Sequence, residues 1–75
     1  MTPDERSRQL VEFLIDRREE LGLTQHELAE RVDWSQGRVS AFERAEYPSI
    51  KTTVRYARAV GIELVPVERE LCPKL

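Results

Sequence analysis

The chain holds one cysteine, Cys72, so no intrachain disulfide can form, and the thiol is given no role. Its one histidine, His26, has no cysteine or second histidine beside it, so no metal site is expected. Gly22, Gly37 and Gly61 lie too far apart to build a phosphate-cradling loop. No apolar run approaches the length of a membrane span, and the charged N-terminus does not resemble a secretory signal. A cytoplasmic protein without a membrane partner is therefore expected. With 75 residues, nearly all of the chain must build one core, which leaves little for an active-site cleft. His26 also matches no nucleophile–base signature. The expectation is a binding protein, not an enzyme, with no cofactor.

Acid predominates overall. The net charge is −2 and the pI about 5.4, which does not suit a nucleic-acid ligand if the charge is spread evenly. It is not spread evenly. Residues 1–34 carry five arginines and nine acids, for −4. Residues 35–60 carry Arg38, Arg44, Lys51, Arg55 and Arg58 against Glu43 and Glu46, for +3. Salt screens exposed charges beyond about 8 Å, so a basic middle can face phosphates while the acids face solvent.

What the chain does have is punctuation. Thr2-Pro3-Asp4-Glu5 is a capping box with proline at the first helical position. It opens a helix in which Leu10, Phe13, Leu14, Arg17 and Leu21 recur at helical spacing, with Gly22 as a left-handed cap. Thr24-Gln25-His26-Glu27 is a second capping box, and Leu28, Ala29 and Val32 form the apolar stripe behind it. Asp33-Trp34 makes a turn. Ser35 caps a third helix whose inward residues are Val39 and Phe42. Tyr47-Pro48 is extended, and Ser49 caps a fourth helix carrying Ile50, Val54, Ala57 and Val60 up to Gly61. Ile62 to Val67 reads as a short strand, restricted to an edge or bulge by Pro66. The predicted fold class is mainly α: a compact four- to five-helix domain over residues 1–68 with a short C-terminal β-strand, then a short tail over 69–75.

Residues 24–44 form a capped helix, a tight turn and a second capped helix. Two short helices so joined cross steeply, and the second projects its N-terminus, with free N–H groups and a positive dipole, toward a ligand. Trp34 in the turn could stack on nucleic acid, but the reading preferred is that it covers the corner between the two helices.

The run from Arg18-Glu19-Glu20-Leu21-Gly22-Leu23-Thr24-Gln25 through Glu27-Leu28-Ala29-Glu30-Arg31-Val32 continues with Ser35-Gln36, Val39-Ser40, Glu43-Arg44 and Pro48-Ser49-Ile50. It closes with Tyr56-Ala57-Arg58-Ala59-Val60-Gly61. This run resembles the Xre/Cro/phage-repressor helix-turn-helix family, and its ending is also similar to antitoxins of the HigA type. The resemblance implies a third helix in the major groove of double-stranded DNA. On it, Gln36, Gly37, Arg38 and Ala41 are the candidate base contacts. A Gln amide can pair with adenine, Arg38 can grip guanine or a phosphate, and Gly37 and Ala41 can lie near a thymine methyl. Gln25, Ser35, Arg44, Ser49, Lys51 and Thr52 are the candidate phosphate contacts, and Arg55 and Arg58 are read as solvated or dimer-facing. Arg18 and Glu43 match a family ion pair joining helix 1 to helix 3. Two departures stand out. Ala45 replaces a usual glycine, so the loop through Tyr47 is expected to differ, and Thr53 replaces a usual core leucine.

A monomer reads few base pairs, so a homodimer is expected, with Ile62, Leu64, Val65 and Val67 as its interface. The function that follows is a sequence-specific transcription regulator, a dimeric repressor on a palindromic operator. The alternative is an antitoxin that neutralises a toxin protein by contact and autoregulates its operon.

Overall fold

The computed structural model describes residues 3–65, which form α1 (Pro3–Glu20), α2 (Gln25–Val32), α3 (Gln36–Arg44) and α4 (Ile50–Ala59). The last three helices have 8, 9 and 10 residues. Helices so short are marginal alone, so tertiary burial must hold them. Val11 and Leu14 of α1, Leu28 and Ala29 of α2, Val39 and Phe42 of α3, and Tyr56, Ala57 and Val60 around α4 form one buried cluster. Each large apolar side chain buried there contributes about 1.5–3 kcal/mol. Phe42 and Tyr56 stack at its centre, ring centroids 4.7 Å apart. α2 packs on both α3 and α4, and α1 lies across the same pair.

Local chemistry sets the helix ends. Thr24 and Glu27 complete the reciprocal capping box: Glu27 N–H donates to Thr24 Oγ1 at 3.1 Å, and Thr24 N–H to Glu27 Oε1 at 2.9 Å. The Thr24 N–H on that carboxylate, and after it the Thr24 hydroxyl, hold the Glu27 carboxyl below its ordinary range. Ser35 and Ser49 cap α3 and α4 as the sequence predicts. Thr2, predicted to cap α1, lies outside the described residues. At the other end of α1, Gly22 takes a φ of 74°, with Leu23 N–H bonded to Arg18 O and Gly22 N–H to Glu19 O, a Schellman closure.

Two expectations change. Phe13 and Leu21 are exposed, at 53% and 44%; Leu14 is buried as expected, and Val11 and Arg18 are buried beside it. That stripe has helical spacing too, and it wins because the Arg18 guanidinium finds a buried carboxylate. Ile50, predicted to face inward, is 83% exposed at the first position of α4. The inward face runs instead through Thr53, Tyr56, Ala57 and Val60, and the Thr53 hydroxyl donates to Ser49 O at 2.8 Å. That bond lets a polar residue occupy a core position. Among the described residues there is no β-structure, and Ile62 and Leu64 pack on the helical core; the strand expected over 62–67 runs past them. Pro66, Val67 and the tail lie outside the described residues. Ala45 behaves as its side chain demands. Its backbone is extended, not left-handed, and its carbonyl accepts from Arg8 at 3.2 Å.

Candidate nucleic-acid interface

The turn between α2 and α3 is three residues long, and each has a defined task. Asp33 adopts the left-handed conformation, φ 61°, which ends α2; aspartate is among the few non-glycine residues that tolerate it. The Trp34 N–H then reaches back to Ala29 O at 2.9 Å. Ser35 follows at once as the cap of α3, accepting from Arg38 N–H at 3.1 Å. With no slack in this connection, α3 leaves the corner at a set angle. One of its faces buries Val39, Phe42 and Glu43; the other exposes Gln36, Gly37, Arg38, Ala41 and Arg44. The four predicted base contacts therefore share the exposed side. The Arg38 guanidinium lies over the Trp34 ring, 4.5 Å from its centroid, and Trp34 is half-buried against the core. Trp34 covers the helix corner as preferred, and it also holds an arginine, a pairing that the sequence does not announce.

Beneath this face lies a buried polar hub. Glu43, 7% exposed, accepts from Arg18 Nε at 2.9 Å, from Gln25 Nε2 at 2.9 Å and from the Tyr56 hydroxyl at 2.7 Å. Arg18 also donates to Leu23 O at 2.6 Å. All four helices meet on one carboxylate. The Arg18–Glu43 pair is present where the family resemblance puts it. Burial alone would pull the Arg18 guanidinium down; the charge and hydrogen bond of Glu43 outweigh this and leave it raised. Burial, then the hydrogen bond and charge of Glu43, push the Tyr56 hydroxyl well above its ordinary range. Among the described residues, no buried side-chain polar atom lacks a hydrogen-bond partner. The sequence reading assigns Tyr56 no polar role. A signal exists all the same: it falls in register with Thr53, Ala57 and Val60, and a buried tyrosine hydroxyl requires a partner.

The predicted phosphate contacts are arranged less simply. Gln25 directs its amide nitrogen to Glu43, so one of its two N–H groups belongs to the hub. Ser49 accepts from Thr52 N–H at 3.1 Å and donates to Thr52 Oγ1 at 2.8 Å, which commits that hydroxyl to capping. Ser35 accepts as a cap, a role that leaves its hydroxyl proton to donate. Arg44 is exposed at the end of α3. Lys51 lines a groove of about 610 Å³ between α2 and α4 together with Arg31, Arg55 and Arg58. All three arginines are partly engaged: Arg58 donates to Glu63 Oε2 at 3.5 Å, Arg55 to Val32 O at 3.0 Å and Arg31 to Ala59 O at 3.2 Å. Each helix thus supplies an arginine to the carbonyl end of the other, where the dipole favours positive charge. Nothing in the spacing of these four residues points to the groove, since its arginines are paired across two helices. Among the described residues, no helix is long and apolar enough to cross a membrane.

A short capped helix set across a second by a closed three-residue turn, its outer face polar and its inner face in the core, defines a helix-turn-helix domain. The comparison of families agrees: the helix-turn-helix model matches residues 14–67, and the chain belongs to that family, of the Xre/Cro type. The chain is also similar to an uncharacterized HTH-type transcriptional regulator of Methanothermobacter thermautotrophicus. The two are 49% identical over 49 residues, which make up 64% of this chain and 71% of the relative. No solved structure gives a significant match.

Proposed function

We propose that this chain is a sequence-specific transcription regulator that binds double-stranded DNA as a dimeric repressor, reading a palindromic operator through the major groove. One observation carries the reading. α3 exposes Gln36, Gly37, Arg38 and Ala41 on one side while Val39, Phe42 and Glu43 lock its other side into the core. A helix so presented fits a groove about 12 Å wide. The family supports DNA as the ligand, and the name of the Methanothermobacter relative supports a regulatory role.

The dimer contact in this reading uses Ile62, Leu64, Val65 and Val67. Val65 is 62% exposed, and with the exposed Ile50 it borders an apolar groove of about 590 Å³ floored by Leu10, Val54 and Leu64. A second copy covering this groove would remove the exposed apolar surface, and a palindromic operator requires the two α3 helices of such a dimer to stand roughly 34 Å apart. Selection of bound sequences from random duplexes tests the reading. The expected product is an inverted repeat whose binding weakens steeply with salt, because phosphate contacts release counterions. A pool that stays random, or a flat salt response, overturns it. Sedimentation at micromolar concentration is expected to show a dimer; a monomer would overturn that part.

A further inference from the structure

We propose that Trp34 is a positioning residue for base recognition: its indole holds the Arg38 guanidinium ready at the start of α3, and the pair together sets a guanine preference at one base pair of each half-site. The inference rests on the DNA-binding reading above and names what that surface selects. Trp34 is fixed from two sides. Its amide is bonded to Ala29 O at 2.9 Å, closing α2, and its ring is half-buried against the core. It stands immediately before the Ser35 cap, and Val39 is the fourth helical residue; these are the two positions that make a hydrophobic staple at a helix start.

Arg38 is fixed as well. Its amide bonds to Ser35 Oγ at 3.1 Å, and its guanidinium carbon lies 4.5 Å from the ring centroid. Gly37, between them, puts no side chain beside the stack, and a Cβ there would meet only Ser35 Oγ, at 3.9 Å. Stacking occupies a face of the guanidinium and leaves its N–H donors on the edge. Those edge donors are the groups that pair with O6 and N7 of guanine. A free arginine would have to be ordered on binding, whereas a stacked one is ordered already, so the gain falls on the contact that needs geometry. A phosphate contact, which reads charge, would gain much less.

The test compares Trp34→Leu, Arg38→Ala, Arg38→Lys and the Trp34→Leu/Arg38→Ala double variant with the parent. Each is subjected to duplex selection and to titration against the selected duplex and its single-base-pair substitutions. The parent is expected to select one guanine per half-site that Arg38→Ala no longer selects. Trp34→Leu is expected to lower discrimination at that base pair about threefold to tenfold, leaving other positions and non-specific affinity as they were. Arg38→Lys is expected to lose the preference despite keeping the charge, and the double variant to bind no worse than Arg38→Ala.

A folded Trp34→Leu protein with the parent's discrimination overturns the proposal, as do additive effects of the two substitutions. So does uniform weakening across all sequences in Arg38→Ala, the mark of a phosphate contact. Where Trp34→Leu does not fold, Trp34→Phe keeps a smaller ring in place and is held to the same comparison, with a smaller expected loss. A parent that selects no sequence at all defeats the DNA reading itself, an outcome distinct from a parent that selects DNA without regard to Trp34.

Discussion

The two faces of α3 differ in almost every physical respect, although they share nine residues. The inner face is a stack of Val39 and Phe42 ending in a carboxylate that three donors from three other helices surround. The outer face is open, carries no acid at Gln36, Gly37, Arg38 or Ala41, and sets the Arg38 guanidinium over Trp34. One face holds the domain together; the other is free to vary without unfolding it. Substitutions should therefore divide into those that lose the fold and those that lose only recognition.

The largest effect is expected at Glu43. Glu43→Ala leaves the Arg18 guanidinium buried without its carboxylate and strands the donors of Gln25 and Tyr56; it should cost about 3–5 kcal/mol, a large share of the stability of so small a domain. A melting temperature equal to the parent's would show that the two faces do not divide the work in this way. The opposite pattern is expected of the Gln36→Ala/Arg38→Ala double variant. Stability should stay within about 0.5 kcal/mol of the parent. Each side chain withdrawn from a base edge should remove about 1–3 kcal/mol of discrimination, read by duplex titration.

Tyr56→Phe sharpens the inner side of the comparison. It keeps the ring stacked on Phe42 and deletes the hydroxyl bond to Glu43, for a loss of about 1.5–3 kcal/mol in denaturant melts. The pH dependence has a definite sign. The hydroxyl titrates higher in the folded chain than in the unfolded one, so its contribution is complete below the ordinary tyrosine value near 10 and drains as pH rises beyond it. The difference between parent and Tyr56→Phe measured at neutral pH should therefore shrink at about pH 11. The smallest effect is expected at Gly37, whose exposed helical site has room for a methyl group. Gly37→Ala should raise stability by about 0.5–1 kcal/mol, and any accompanying loss of DNA affinity would place the α3 backbone close to the duplex.

The helix ends were legible because capping is local chemistry. Thr24, Ser35 and Ser49 each cap as their positions suggest, and Gly22 and Gly61 each take positive φ, because those bonds span three to five residues. Which face of a helix turns inward was less legible. Phe13 and Leu21 fit the helical spacing of Leu10 and Leu14 as well as Val11 does, and the choice rests on where Arg18 can be neutralised, a partner 25 residues away. Ile50 misled for a related reason: a first-turn residue of α4 overhangs the core that its period points toward. In the interface, Gln36, Arg38 and Ala41 could be placed outward from the pattern around Val39 and Phe42. The inward turn of Gln25 could not, because a glutamine at a helix start carries no sequence mark of which neighbour takes its amide.

One further consequence follows from Trp34. It is the chain's one tryptophan, so indole emission from the folded protein arises at a single place, under a guanidinium at the mouth of the candidate reading helix. The molecule therefore carries a native optical reporter there. Removing the arginine, or drawing it off the ring toward a base, changes the charge against the excited indole, and a spectrometer can follow that change without any added dye.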